Sequence, residues 1–173
     1  MRFSTVTLCF ALQASPAFAQ TAIPAVPQAQ VTFYSNGNFW TSGLPGAKSG
    51  IFAGALFDEN QPLAYIRRNR FVTFHLAAGA HVFSASFSNH PARNSQMSLD
   101  LAANGSYFIR AVAESRGVVV VDFTKGRLDS VTCQVAHQEA EKALPLEAKH
   151  IPQAAIANVD SILSMPSCGS LHP

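Results

Sequence analysis

The feature that most constrains the fold is a series of short apolar runs in which hydrophobic residues recur at every second position. Turn residues, mostly Gly, Asn, Asp and Pro, separate these runs at close intervals from residue 31 onwards. A period of two places alternate side chains on one face of a strand, whereas a helix has a period near 3.6. The pattern therefore predicts a small, mainly β domain in which two layers of strands enclose one core.

The apolar runs also predict where the strands and their turns lie. The predicted strands cover residues 31–34, 51–57, 63–66, 71–76, 81–87, 97–101, 107–112, 118–123 and 128–133. Ala78-Gly79 and Asn104-Gly105 have the composition of tight turns, so each predicts a β-hairpin. Lys125-Gly126 predicts a further turn. An amphipathic helix is predicted over residues 134–144, with Pro145 ending it, and a weaker helix over residues 151–163.

The hairpin predicted at residues 78–79 has a definite register. Side chains alternate along a strand, so Val72, Phe74 and Leu76 share one face of the first strand. A two-residue turn places Phe83 and Ala85 on the same face of the hairpin. The prediction is one continuous apolar face directed at the core.

The N-terminus has the three-part layout of a secretory signal peptide. Arg2 precedes an apolar run over residues 3–12, and Ala17 and Ala19 form an A-x-A pattern. We expect cleavage between Ala19 and Gln20, which places the mature chain in the periplasm or outside the cell. The run is shorter than the ~20 apolar residues that span a bilayer. Since no later segment is longer and equally apolar, we expect no transmembrane segment in the mature chain.

The resulting division of the chain is a signal peptide at 1–19, a linker at 20–30, a β domain with a closing helix at 31–145, and a partly helical C-terminal tail at 146–173. The linker is rich in Ala, Pro and Gln, which favours an extended chain. Loss of the signal removes Arg2, so the formal net charge falls from +2 to +1. A near-neutral domain lacks the basic surface that nucleic acid requires, so we expect no nucleic-acid partner.

Cys133 and Cys168 are the two cysteines that remain after the predicted cleavage. In an oxidising compartment an even pair favours a disulfide, which would tie the tail to the domain. Two unpaired thiols are the alternative, because the sequence does not show how close the Cα atoms come. Two isolated cysteines without C-x-x-C spacing do not indicate a zinc site.

Several of these segments together are similar to a known family. They are VTFY at 31–34, LFDENQPLAYI at 56–66, FVTFHLAAGAH at 71–81, LDLAANGSYFIR at 99–110 and EAEKAL at 139–144. Over residues 31–144 the chain resembles the family of exported bacterial domains of unknown function numbered 2846, although Ala78 stands where that family usually has proline. The Gly-x-His turn is shared with β-sandwich domains of the PEGA and carboxypeptidase-regulatory type. The resemblance implies an immunoglobulin-like antiparallel β-sandwich with one C-terminal helix, and it implies no activity, catalytic residue or cofactor.

Two histidines that flank the predicted turn are the first candidates for metal ligands. In the predicted register, His75 and His81 lie on opposite faces, whereas metal ligands must converge on one point. No Cys, Asp or Glu near them in the sequence completes a ligand set. We therefore expect no metal site, and the absence of phosphate- and dinucleotide-binding fingerprints leads us to expect no cofactor.

Two segments are candidates for binding. The loop at 38–45 carries Phe39 and Trp40, and aromatic side chains on irregular loops often recognise sugars or peptides. The alternative is that both rings are buried under the edge of the sheet. Arg67, Arg68 and Arg70 form a basic cluster that could meet an anionic envelope component, or could be merely solvated.

No catalytic motif is present in the sequence, including G-x-S-x-G and H-E-x-x-H. We therefore predict an exported, non-catalytic envelope protein that binds or scaffolds an envelope protein or polysaccharide. One alternative is a carbohydrate- or peptide-binding module that uses Phe39 and Trp40. The other is a cell-wall hydrolase, which predicts a cleft where His meets carboxylate or Ser side chains.

Overall fold

Two layers of strands form the body of the chain. The computed structural model describes residues 26–35, 53–92, 96–116, 120–160 and 164–168. Its strands are β1 (Gln28–Ser35), β2 (Ala53–Asp58), β3 (Gln61–Arg67), β4 (Arg70–Ala77), β5 (Gly79–Ser86), β6 (Gln96–Leu101), β7 (Ser106–Arg116), β8 (Val120–Val131) and β9 (Leu144–Pro145). The helices are α1 (Cys133–Glu139) and α2 (Gln153–Ile156), with a single 3-10 turn at Ala148–His150 between them.

The strands divide into a five-stranded and a four-stranded sheet. The order is β8-β7-β1-β4-β9 in the first sheet and β3-β2-β5-β6 in the second. The prediction of a small, mainly β sandwich is confirmed. The four-stranded sheet is antiparallel throughout, but the five-stranded sheet is mixed, because β1 runs parallel to β7 and β4 runs parallel to β9.

The core lies between the two sheets and follows from the alternation along each strand. β1 directs Ala29, Val31 and Phe33 inward, where all three are buried. The Phe33 ring meets the edges of Phe74 and Phe83 at centroid distances of 6.2 and 5.3 Å. These rings come from three strands in two sheets, so their burial, worth about 1.5–3 kcal/mol for each side chain, holds the layers together.

The hairpin predicted at residues 78–79 is wrong. β4 pairs with β1 in one sheet, while β5 pairs with β2 and β6 in the other. The chain therefore crosses from one layer to the other at Ala78-Gly79, where Gly79 has φ +130°. Phe74 and Phe83 both face the core, as predicted, but from opposite sheets. Period-two alternation assigns the buried face of each strand and does not determine which strand is its neighbour.

Two further turn predictions also differ from the structure. Asn104 has the left-handed backbone expected of Asn-Gly, with φ 60°, but β6 and β7 again lie in different sheets and are not a hairpin. No turn occurs at Lys125-Gly126, because β8 continues through it. A Cβ on Gly126 would lie 2.7 Å from the carbonyl oxygen of Ala85, so this glycine permits close packing of β8 on β5.

The C-terminal helix is shorter than predicted and is followed by chain that packs on the sandwich. Thr132 caps α1 by accepting a hydrogen bond from the backbone N–H of Val135. The helix ends at Glu139 rather than at residue 144, since the backbone N–H groups of Leu144 and Leu146 donate to the Asn69 and Phe71 carbonyls. Those hydrogen bonds join residues 144–145 to the edge of β4 as β9.

Residues beyond β9 also belong to the packed body. Leu146, Ile151 and Ala155 are buried in the main core, and Val159 forms a bridge to Phe74 further along the β4 edge. Of the predicted second helix over 151–163, the described residues 151–160 contain only the short helix α2. At the other end, β1 begins at residue 28, three residues before the predicted start of the domain.

Two sequence predictions fall outside the part of the chain that the structure describes. The expected signal peptide at 1–19 is one, and the loop that carries Phe39 and Trp40 is the other. Among the described residues, no helix has both the length and the apolar character needed to cross a membrane.

Candidate functional site

The three arginines singled out in the sequence lie where the chain crosses from β3 to β4. Asn69, with φ 54°, makes the reversal between Arg68 and Arg70. The Arg70 guanidinium donates from Nη1 to the Pro145 carbonyl at 3.0 Å. Its Nη2 lies 3.4 Å from Oε1 of Glu147. Arg70 is thus tied to the segment that follows β9.

Two more basic residues reach the same place from the 3-10 turn. This turn packs against β3 and brings Lys149 and His150 beside Arg67. Lys149 forms an ion pair with Glu147, the same carboxylate that faces Arg70. We refer to Arg67, Arg68, Arg70, Lys149 and His150 together as the basic patch.

The basic patch carries more positive charge than its neighbours neutralise. Within the described part of the chain, Glu147 is the carboxylate that pairs with Arg70 and Lys149, and neither Arg67 nor Arg68 forms an ion pair. The Nε atoms of both these arginines are buried without a hydrogen-bond partner among the described residues. Arg70 and Lys149 therefore share one carboxylate, while the charges of Arg67 and Arg68 are not neutralised by any ion pair among the described residues.

The pKa of His150 is sensitive to the positive charges of the basic patch. Burial lowers the pKa of His150, and the charges of Arg67, Lys149 and Arg70 lower it further against the opposing charge of Glu147. Its Nε2 is buried without a partner among the described residues. With its pKa below the ordinary value near 6.5, the ring is predominantly neutral at pH 7.

A separate pocket of about 340 Å³ lies at the end of the sandwich near His81. It is lined by residues that include Asp58, Glu59, Leu63, Leu76, His81 and Asn158. His81 Nδ1 lies 2.7 Å from Oδ2 of Asp58, and Nε2 lies 2.9 Å from the Ala77 carbonyl. Burial alone would lower the pKa of His81, but the bonds to Asp58 and Ala77 and the nearby carboxylates outweigh it and raise the pKa. Both ring nitrogens therefore act as N–H donors in the protonated ring.

An open groove of about 540 Å³ on the outer face of the five-stranded sheet holds His75. His75 Nε2 lies 3.1 Å from Oδ2 of Asp160, and the Gln30 side chain donates to the same oxygen at 3.3 Å. Ser106 also lines the groove, and Gln30 is the cross-strand neighbour of both Ser106 and His75. Two strand spacings thus place the Ser106 and His75 backbones roughly 10 Å apart, so Ser106 does not complete a hydrogen-bonded triad with His75 and Asp160.

The two histidines lie apart, as the sequence predicts, but each has a carboxylate partner that the sequence analysis missed. Asp58 lies 23 residues before His81, and Asp160 lies 85 residues after His75. Neither spacing is a local signal, because each pair forms only when separate elements pack together.

A polar network fastens α1 to the outer face of the five-stranded sheet. The buried Tyr34 hydroxyl donates to Oε2 of Glu139 at 2.5 Å, and Arg110 donates to Oε1 at 2.5 Å and to Asp129 at 3.0 Å. Burial, followed by the hydrogen bond and charge of Glu139, raises the pKa of Tyr34 well above its ordinary value. The tyrosine therefore keeps its proton and acts as a donor, which is a structural role.

The predicted pairing of Cys133 and Cys168 is confirmed, with an S–S distance of 1.94 Å and a Cα–Cα distance of 5.5 Å. His137 lies one helical turn after Cys133, and the ligand atoms of these three residues all lie within 4.8 Å of one another. His137 Nε2 contacts the Pro166 carbonyl at 2.7 Å. This cluster had no signal in the sequence, where 35 residues separate the cysteines.

Comparison of the chain with protein-family models, with curated proteins and with solved structures returned no match. The resemblance to the family numbered 2846 therefore stays a prediction.

Proposed function

We propose that the chain is an exported, non-catalytic envelope protein that binds an anionic polysaccharide through the basic patch. The observation that carries the proposal is the surplus of positive charge at the crossing from β3 to β4. Arg70 and Lys149 share Glu147 there, Arg67 and Arg68 form no ion pair among the described residues, and the Nε atoms of these last two lack an acceptor among the same residues.

The chemistry of the patch favours a carboxylate- or phosphate-bearing polymer. A guanidinium group is a planar fork that matches such groups with two parallel hydrogen bonds, and it keeps its charge at every physiological pH. Arg67 and Arg68 are only partly buried, so their side chains are accessible in part. A repeating anion can engage several of these cations at once, which raises the overall affinity without any single strong contact.

The surroundings of His75 and His81 support binding rather than turnover. A general base needs a ring nitrogen with a free lone pair near a reacting group. Both nitrogens of His81 face acceptors, and Gln30 lies between Ser106 and His75. Among the described residues, neither histidine contacts a hydroxyl or thiol that it could activate, which favours the non-catalytic function over the cell-wall hydrolase.

Export is tested by determining which residue forms the N-terminus of the purified protein. We expect the chain, expressed in a bacterium and recovered from the periplasm, to begin at Gln20 when its intact mass is measured. A protein that keeps Met1 and stays in the cytoplasm contradicts the export half of the proposal.

Binding is tested with an anionic polysaccharide, alginate, and a neutral one, dextran, by calorimetric titration. Each cation that meets an anionic surface contributes about 1 kcal/mol, so we expect Arg67→Gln with Arg68→Gln to weaken alginate binding roughly tenfold or more. Affinity for alginate falls as salt rises from about 0.05 to 0.5 M, since screening shortens the reach of surface charges. Dextran does not bind.

The matched control is Arg127→Gln, which removes an exposed arginine from β8 that pairs with Asp129. This variant keeps the affinity for alginate to within about a factor of two if the basic patch is the binding surface. A second readout is the C2 proton of His150 in NMR titrations, because a bound anion next to the ring raises its pKa. The proposal is refuted if the affinity for alginate changes neither with salt nor in the Arg67/Arg68 double variant. It is also refuted if alginate does not bind.

The loop with Phe39 and Trp40 leads to a second candidate function, a neutral sugar- or peptide-binding module, which stays a prediction. Trp40 is the only tryptophan of the chain, so its fluorescence reports on this loop alone. A change on adding neutral glycans, together with unchanged binding in the Arg67/Arg68 double variant, favours the loop over the basic patch.

A further inference from the structure

Three potential metal ligands, none of which belongs to the basic patch, converge where α1 meets the C-terminal segment. Cys133 is the first residue of α1, and His137 follows it by four positions, so both side chains lie on one face of the helix. Cys168 reaches the same place from the C-terminal segment. The two sulfurs and one imidazole nitrogen all lie within 4.8 Å of one another.

The imidazole of His137 is held in place by its surroundings. Its Nε2 lies 2.7 Å from the Pro166 carbonyl, which can only accept, so Nε2 carries the proton. In a neutral ring, that tautomer leaves the lone pair on Nδ1. The ring also contacts Phe108 with a centroid distance of 6.3 Å. A backbone carbonyl that orients the second nitrogen is the arrangement that typically supports a metal-binding histidine.

We propose that reduction of the Cys133–Cys168 disulfide converts this cluster into a zinc site formed by both thiolates and His137. Two thiolates and one imidazole are a donor set that zinc prefers, and water completes the four-coordinate shell. The site is independent of the basic patch, so it goes beyond the proposed binding function.

A dithiol reductant supplies the electrons and protons that the conversion requires. A dithiol transfers two electrons and two protons to the disulfide, becomes a disulfide itself, and leaves Cys133 and Cys168 as two thiols. Zinc then displaces both thiol protons as the Zn–S bonds form. The disulfide and the zinc site exclude each other, because the same two sulfur atoms make either the S–S bond or the Zn–S bonds.

The change in geometry is small. With Zn–S bonds of about 2.3 Å and tetrahedral angles, the two sulfurs stand about 3.8 Å apart. Side-chain rotation brings the two sulfurs to this separation without moving the backbone, because the Cα–Cα distance is 5.5 Å. Cys168 is exposed and Cys133 is partly exposed, so both reductant and metal can reach the cluster.

The experiment compares the zinc affinity of the oxidised protein with that of the reduced protein. The full periplasmic protein is reduced with a phosphine, freed of reductant under argon, and titrated with Zn²⁺ by calorimetry and with Co²⁺ by absorption spectroscopy. We expect the reduced protein to bind one Zn²⁺ per chain with release of about two protons, and its Co²⁺ complex to show thiolate charge-transfer bands. The oxidised protein binds neither ion at this site.

His137→Gln is the decisive variant, since it keeps a side-chain donor for Pro166 but removes the imidazole. Loss of a partner that only orients a ligand costs about 10–100-fold in metal affinity, so we expect loss of the ligand itself to exceed ~100-fold. The matched control is His90→Gln, which removes an exposed histidine outside the cluster and leaves zinc affinity unchanged.

Whether the fold survives reduction is measured separately. The Cys133→Ser/Cys168→Ser double variant has no disulfide and no thiolate, and its circular dichroism shows whether the sandwich persists without the bond. Reduced protein that binds no zinc overturns the proposal. So does zinc binding that His137→Gln leaves unchanged, because a bare dithiol or an unfolded chain would behave in that way.

Discussion

Replacing Tyr34 with phenylalanine tests whether the network under α1 fastens the helix to the sheet. Tyr34 is fully buried, and its hydroxyl donates to Oε2 of Glu139 at 2.5 Å. The variant removes one oxygen and keeps the ring, so packing against Phe71 and Ala136 in the smaller core cluster is retained. The change in stability therefore measures the hydrogen bond and little else.

The size of the effect follows from the charge of the acceptor. A hydrogen bond to a charged group contributes about 1.5–3 kcal/mol. The Glu139 side chain is 25% exposed, so water can partly replace the lost donor, and Arg110 still donates to its other oxygen. These two facts place the expected loss near the lower end, about 1.5–2 kcal/mol in the free energy of unfolding. For a chain of this size, that corresponds to a fall in Tm of roughly 3–8 °C.

The assay is urea unfolding followed by circular dichroism, with Tyr65→Phe as the control. Tyr65 lies at the surface and is 36% exposed, so its hydroxyl contributes less than about 0.5 kcal/mol. A double-mutant cycle with Glu139→Gln then isolates the pairwise term, and a coupling energy near zero would refute the argument. Equal losses in Tyr34→Phe and Tyr65→Phe would refute it too.

Two further predictions concern packing and pH. Gly126→Ala introduces a Cβ 2.7 Å from the backbone of β5, so we expect a loss of at least ~2 kcal/mol in urea unfolding, and an unaffected variant would contradict the close approach of β8 and β5. The raised pKa of His81 means that the folded state binds the proton more tightly than the unfolded state. The stability this adds is complete below the unfolded-state pKa of about 6.5 and is lost as pH rises through the folded-state pKa. Urea unfolding of wild type and His81→Gln across this range should show a difference that shrinks with rising pH, and a constant difference would exclude the linkage.

The fold class and the buried faces were predictable because they depend on local alternation. Phe74 lies between Val72 and Leu76 at a period of two, and all three side chains are in the core. The connections were not predictable in the same way. A turn such as Ala78-Gly79 reverses the chain whether the next strand pairs within the sheet or folds over it, and both outcomes bury the same side chains. The choice depends on long-range pairing, such as that of β1 with β7, which no local pattern encodes.

The candidate site was predictable only in part. Arg67, Arg68 and Arg70 are adjacent in the sequence, so their clustering is a local property. Lys149 and His150 join them because the chain after β9 returns to β3, and the sequence contains no sign of that return. The carboxylate partners Asp160 of His75 and Asp58 of His81 were likewise not predictable, because each pair forms only when separate elements pack together.

The sequence by itself determined the β class, the core-facing side chains of β4 and β5, the three arginines within residues 67–70 and the pair of cysteines available for a bond. Tertiary structure alone decided which strands are neighbours, which charges surround His150, and that His137 stands beside Cys133 and Cys168. The physical reason is the separation along the chain over which each effect acts. Backbone geometry and hydrophobic alternation act between residues a few positions apart, whereas pairing, charge and ligand convergence depend on distances that only the packed chain defines.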